Sequence, residues 1–324
     1  MFTLATAEQI KMLVRSHFES NDDRFRTVVL QIAASEAKKG HQTFARDLRG
    51  ILDKYYEKNN KIIPFNKELD GLMRTELSDG KLTDLVVNDE IKYRIEKILL
   101  EYWQRDKLKK YGLNNRRKIL LTGNPGTGKT LTASVLAGRA KLPLCTIVMD
   151  KLLTKYMGET SVKLRQIFDF ISHNQAVYLF DEFDTIGTER SLDNDVGEIR
   201  RILNSFLQFI EQDESDSIIV AATNNPQLLD QALFRRFDDV IHYTLPDREQ
   251  VANLIRNKIG SYNHKLLSLE QVADEALTLS HADITMACNN AVKEAILNGS
   301  GYIDENLIMR MIIERKEVYQ RGGI

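Results

Sequence analysis

The sequence predicts an α/β fold. A parallel β-sheet with crossover helices sits between a small N-terminal helical domain and a C-terminal helical domain. Three observations predict it. Four short apolar runs, at 119–121, 145–148, 177–180 and 218–222, alternate with helical patterns from about Leu82 onward, the rhythm of strands joined by crossovers. A glycine-rich turn follows the first of these runs directly. After Leu245-Pro246-Asp247 the strand-like runs stop, and helical patterns occupy 250–258, 282–297 and 306–317.

The N-terminal part reads as helices. Phe25, Val28, Val29 and Ile32 fall on one helical face, and Phe44, Leu48, Ile51, Leu52 and Tyr55 on another. Ser20-Asn-Asp-Asp23 offers a cap before the first helix and Gly40 a stop after it. The chain turns polar at 57–61 and again at 78–81. A boundary between these signals gives three expected domains: 1–65, a helical adaptor or recognition domain; 66–245, the large α/β domain; and 246–324, a helical domain. No internal repeat and no low-complexity tract interrupts them.

Composition narrows the class. The 324 residues exceed one ordinary core, and 43% hydrophobic with 28% charged content is that of a globular chain. A net charge of −1 gives no reason to expect a nucleic-acid or membrane partner. Cys145 and Cys288, the only cysteines, sit in apolar patterns, so a reducing compartment is expected in place of a disulfide framework. The first residues lack the basic and apolar regions of a signal peptide, and no apolar run is long enough to span a bilayer. A cytoplasmic protein is expected.

The glycine-rich turn carries the chemistry. Gly123-Asn124-Pro125-Gly126-Thr127-Gly128-Lys129-Thr130 fits G-x-x-x-x-G-K-[ST] at every fixed position, and Leu131 leads into a helical pattern. Glycines let several N–H groups converge on phosphate oxygens at a helix N-terminus. Lys129 then reaches the β- and γ-phosphates, and the Thr130 hydroxyl binds Mg²⁺. A nucleoside triphosphate is the expected ligand. The run at 177–180 ends in Asp181 and Glu182. Beside a phosphate loop the first would hold the Mg²⁺ shell and the second would serve as general base for a water; standing alone, they read as solvated acids at a strand end. Asn224 ends the run at 218–222 and suits a contact to both γ-phosphate and water, although a turn asparagine before Asn225-Pro226 is the plainer reading of that residue by itself.

Four segments in order carry a resemblance: the phosphate loop, Phe180-Asp-Glu-Phe-Asp-Thr-Ile-Gly187, Ala222-Thr-Asn224, and Leu229-Asp-Gln-Ala-Leu-Phe-Arg-Arg-Phe-Asp238. Together they resemble an ATPase of the AAA+ superfamily, AAA clade, over roughly Leu82 to the C-terminus. The resemblance implies a P-loop domain with a C-terminal helical lid, ATP and Mg²⁺ as cofactors, and ATP hydrolysis. Lys129, Thr130, Asp181, Glu182 and Asn224 match the clade's nucleotide residues. Val87, with Val86, and Ala282 fall where the clade packs adenine. His281 stands where the clade has glycine, which alters the base pocket, unless it is a simple exposed histidine. Arg235 and Arg236 match arginine fingers that complete a neighbouring subunit's site, so a homo-oligomeric ring, by resemblance a hexamer, is implied; the plain alternative is two solvated arginines at a helix end.

Lys155-Tyr-Met-Gly-Glu-Thr-Ser161 resembles the clade's pore loop. Tyr156 and Met157 would grip an extended polypeptide in the channel, the other reading being a tyrosine packed in or beside the core. The contiguous Arg-Arg-Phe is found in microtubule-severing relatives and many bacterial members, which leaves the subgroup open. None of the histidines is followed by glutamate, so no His-Glu-x-x-His protease lies on this chain. The order of helices and motor resembles bacterial ATPases that travel with a subtilisin-like partner in phage defence. The expected function is a motor that unfolds or remodels protein clients. The alternatives are an ATP-dependent switch on a separate effector, such as a protease, and a nucleic-acid motor, against which the neutral charge and aromatic pore loop argue.

Overall fold

The computed structural model describes residues 11–13, 15, 16, 22–59, 69, 71–153, 158–188, 196–228, 231–260, 262, 269–299 and 302–321. The chain divides into two units, Met1–Ile62 and Ile63–Ile324.

In the first unit, helices α1 (Asp22–Lys38) and α2 (Gln42–Asn59) pack against each other. Val28, Val29, Ile32 and Ala33 of α1 are buried. α1 closes where the Gly40 N–H reaches the Ala37 carbonyl at 3.2 Å and the His41 N–H reaches the Glu36 carbonyl at 3.0 Å, the pairing that satisfies the last carbonyls of a helix. The Glu36 carboxylate, shielded from solvent, accepts from Lys39 Nζ (2.8 Å) and His41 Nδ1 (2.7 Å). The hydrogen bond from Lys39, and then that from His41, hold the Glu36 carboxyl below the usual glutamate range. α2 departs from the expected face. Leu48 is partly buried, but Phe44 and Ile51 are exposed and Ala45 is buried in their place; Leu52 and Tyr55 have side chains outside the described set.

The second unit is built on a sheet with order β1-β3-β4-β5-β2-β6. In chain order its elements are β1 (Met73–Leu77), α3 (Asp89–Trp103), α4 (Arg105–Lys109), β2 (Lys118–Gly123), α5 (Lys129–Ala140), β3 (Pro143–Ile147), α6 (Met149–Leu152) and α7 (Glu159–His173). β4 (Val177–Phe180), α8 (Thr185–Thr188), α9 (Val196–Gln212), β5 (Ile218–Thr223), α10 (Gln231–Phe234) and β6 (Asp239–Tyr243) follow. All neighbouring strands are parallel except β1, which runs antiparallel to β3. The four strands expected from the sequence are the four inner ones. β1 and β6 are additions, and both are edges.

Side chains along the inner strands alternate between the two faces of the sheet. Leu120, Tyr178, Phe180, Ile219 and Ala221 face one layer with α7 and α9, where Phe180 and Phe206 meet edge-on at 5.2 Å between ring centres. Ile119, Leu121, Leu179, Val220 and Ala222 face the other layer with α3 and α5. The inner strands are thus buried on both faces, as parallel sheets require. At the β6 edge the buried Asp239 carboxylate accepts from Arg94 Nη2 (2.6 Å) and Arg116 Nη1 (3.0 Å), which ties α3 to the sheet by charge-assisted bonds.

Beyond the sheet, α11 (Arg248–Ile259), α12 (Glu270–Ala276), α13 (His281–Leu297) and α14 (Glu305–Arg321) share a separate apolar core of residues such as Val251, Ile255, Ile284, Cys288 and Ile312. Capping boxes start α11 at Asp247/Gln250 and α13 at Ser280/Asp283. Arg315 of α14 donates to Asp283 at 2.8 Å, fixing the start of α13. Among the described residues no helix is long and apolar enough to cross a membrane.

Candidate active site

Strand register brings the chemistry to one edge. Thr122 pairs with Thr223, and Phe180 with Ala221. Gly123, Asp181 and Asn224 therefore leave the sheet side by side at its C-terminal ends, where open α/β sheets bind ligands. A cleft of about 650 Å³ opens there, lined by Pro125 to Leu131, by Asp181, Glu182 and Asn224, and by the helices α11 and α13.

The loop between β2 and α5 is held in shape from within. Gly123 has φ +137°, and a β-carbon there would lie 2.1 Å from the Tyr243 carbonyl oxygen. Gly126 has φ +74°, and its β-carbon would meet Ser280 Oγ at 2.5 Å. Only glycine fits both the backbone and the space. Thr127 Oγ1 donates to the Asn124 carbonyl at 2.7 Å. The Ala282 N–H donates to the Gly126 carbonyl at 3.0 Å, which seats the start of α13 on the loop.

Lys129 is buried, and its Nζ donates to the carbonyls of Gly123 (2.7 Å) and Asn124 (2.8 Å). Burial holds its pKa below the usual lysine value, with Asp181 and Asp184 opposing that shift. A phosphate arriving in the loop offers this ammonium a charged partner in place of two neutral ones. Thr130 Oγ1 donates to Asp181 Oδ2 at 2.7 Å. These adjacent hard oxygens fit Mg²⁺, which takes few protein ligands and draws the rest of its shell from phosphate and water.

Glu182 is held at φ +52°, an uncommon conformation for a side-chain-bearing residue. Its surroundings impose it: the Glu182 N–H donates to Asp181 Oδ1 at 2.9 Å, and its carbonyl accepts from Thr185 Oγ1 at 2.8 Å. The next N–H, of Phe183, reaches the Ala222 carbonyl of β5 at 2.8 Å. Asp184, buried, then accepts at 3.1 Å from Thr223 Oγ1, the Asn224 N–H and Asn225 Nδ2 alike. This carboxylate joins the acidic turn to the polar end of β5, so Glu182 and Asn224 share one wall. Asp184→Ala leaves three donors without their acceptor. A loss of about 2 kcal/mol is expected, read as a lower denaturation midpoint together with slower turnover at little change in nucleotide Kd. An unchanged midpoint and rate would show the network to be idle.

Of the expected site residues, Pro125, Gly126, Thr127, Gly128, Lys129, Thr130, Leu131, Asp181, Glu182, Asn224, His281 and Ala282 line the cleft. Gly123 and Asn124 stand behind it and supply the carbonyls that hold Lys129. Val86, not Val87, is in the wall. Val87 packs instead on the core beneath α3 and α5, because successive side chains of an extended segment point opposite ways. Arg235 and Arg236 are exposed and are not among the lining residues; Arg236 Nη1 meets Glu211 Oε1 at 2.6 Å. Tyr156 and Met157 lie outside the described residues. Sequence reasoning passed over Asp184 and the cleft residues Leu254 of α11 and Thr285, Asn289 and Lys293 of α13. Thr285, Asn289 and Lys293 recur at four-residue spacing on α13, a polar stripe legible once the helix is assigned.

Comparison with known proteins agrees with this geometry. The sequence model of the ATPase family associated with various cellular activities (AAA) matches residues 119–245. An uncharacterized AAA family ATPase, y4kL, of Sinorhizobium fredii is 29% identical over 99% of this chain and 98% of its own length. The proteasome-activating nucleotidase of Methanococcus vannielii is 30% identical over 73% of this chain, which spans 60% of that protein. The ATP-dependent zinc metalloprotease FtsH 1 of Methylacidiphilum infernorum is 30% identical over 75% of this chain, which spans 40% of that one. With its phosphate loop, acidic strand end and parallel sheet in the arrangement described, the chain belongs to the AAA clade of the AAA+ superfamily of ATPases.

Proposed function

We propose that this chain is an ATP-hydrolysing ring motor, by likeness a hexamer, that unfolds or remodels protein partners in the cytoplasm. Lys129 holds the β- and γ-phosphates. Mg²⁺, held through Thr130 and Asp181, would neutralise phosphate charge. Glu182 orients the attacking water and takes its proton. Asn224 contacts that water and the γ-phosphate together. Arg235 and Arg236 act in the neighbouring copy's site, where a guanidinium balances the charge that develops in the transition state. Residues 66–245 form the nucleotide-binding domain, 246–324 its lid, and 1–65 a domain that selects clients.

The observation that carries this reading is the position of the arginine pair. Two arginines in the clade's finger segment lie outside their own chain's cleft, which suits a site completed by a second copy. The relatives named for proteasome activation and for proteolysis make a protein client, delivered to a protease on a separate chain, the favoured cargo.

Tyr156→Ala tests the motor. A threading ring keeps its ATP turnover and loses client unfolding by at least about tenfold, since an aromatic side chain supplies contact to almost any polypeptide. Unfolding that survives the substitution at the parent rate would favour the ATP-dependent switch over the motor.

A further inference from the structure

Among the described residues, the His281 side chain lines the cleft with buried polar atoms left over. Both ring nitrogens are buried, and neither has a hydrogen-bond partner among the described residues. Buried polar atoms are nearly always satisfied, so an orphaned pair in the wall of a ligand cleft points to a partner that arrives with the ligand. The ring is the first residue of α13, beside the Ala282 N–H that is bonded to the phosphate loop. The segment carrying Val86, also in the cleft wall, lies beside the ring.

The geometry points to His281 as the residue that reads the base of the nucleotide, accepting a hydrogen bond from the exocyclic amino group of adenine. The inference rests on the nucleotide reading of the cleft. Its direction comes from the surroundings of the ring. Burial disfavours the imidazolium, while the Val86 backbone and Asp247 work the other way. A neutral imidazole carries one N–H and one lone pair. The nearby Val86 carbonyl favours a ring proton without forming a hydrogen bond to it, so the neutral ring keeps its N–H on that side and leaves a lone pair for the ligand. Adenine presents an amino donor where hypoxanthine and guanine present a carbonyl oxygen. A lone pair rewards the first and opposes the second, because a buried acceptor facing another acceptor leaves both unpaired. Glycine at this position could not discriminate in this way.

Equilibrium binding to the full chain tests the assignment, with ATP, inosine triphosphate, purine riboside triphosphate and inorganic tripolyphosphate as probes. The parent chain is expected to bind ATP about tenfold or more tightly than either inosine triphosphate or the riboside lacking the amino group. In His281→Phe, which keeps an aromatic ring and removes both nitrogens, the preference falls toward one while tripolyphosphate affinity stays at the parent value. His281→Asn, which keeps an acceptor, retains part of the preference. The inference is overturned by a parent chain indifferent to the amino group, a comparison that needs no variant, or by His281→Phe with its preference intact. Lys129→Ala separates the two levels: it abolishes tripolyphosphate binding if the phosphate loop is the triphosphate site. If the parent chain and Lys129→Ala bind tripolyphosphate equally, the nucleotide reading falls, and the base reading with it.

Discussion

Glu182→Gln binds ATP as tightly as the parent chain and turns it over about a hundredfold or more slowly. The substitution keeps the volume and length of the side chain and removes only its ability to take a proton. The turn that aims it is untouched, because the bonds that impose φ +52° are made by the Glu182 backbone to Asp181 and Thr185. Phosphate release measured beside equilibrium binding separates chemistry from affinity. If the chain works as the ring proposed above, holding ATP in its sites also keeps its assembled form and its cargo, so affinity capture with this variant is the direct route to the client. Turnover at the parent rate would remove Glu182 from the role of base and pass it to another group on the same wall.

The legible part of the fold was the part that the hydrophobic effect writes twice. β2, β3, β4 and β5 are covered on both faces and read as continuous apolar runs. β1 has four of its five residues exposed, with Arg74 and Glu76 among them, and β6 opens on Asp239 and includes the exposed His242. Edge strands carry charge and half-hidden patterns, and runs of that kind resemble loops. The phosphate loop was legible because its glycines, lysine and threonine stand at fixed spacing directly after an apolar run. Val86 against Val87 was not, since a shift of one residue reverses which side chain enters the cleft, and only the packing of the loop on α5 decides it. Gly80 and Gly138 make that contact so closely that a β-carbon on Gly138 would lie 2.6 Å from the Gly80 carbonyl oxygen. Asp184 was hidden for a different reason. Its partners Thr223, Asn224 and Asn225 lie some forty residues on, and their pairing exists only once β4 and β5 are neighbours.

The arginine pair yields the second large effect. Arg235→Ala with Arg236→Ala binds ATP normally and hydrolyses it about a thousandfold more slowly. The turn that displays these side chains is tied to the sheet. Phe237 is buried in the sheet core, and Asp238 Oδ2 accepts from the backbone N–H groups of Arg117 and Lys118 at 2.9 Å each. The guanidiniums are by contrast only lightly held. Arg236 and Glu211 form an ion pair with both side chains about half exposed, the kind that contributes little, so a neighbour's phosphate can take the arginine from it. Mixing gives the decisive measurement. Chains lacking the arginines retain Glu182, and chains with Glu182→Gln retain the arginines, so each is inactive alone. In a head-to-tail ring formed from equal amounts, roughly a quarter of the sites join an intact base to an intact neighbouring arginine pair. Activity should therefore return on mixing and scale with the product of the two fractions. Two inactive preparations that stay inactive while co-assembling would place the arginines outside the chemistry, and a solitary chain hydrolysing ATP at full rate without them would remove the reason for a ring.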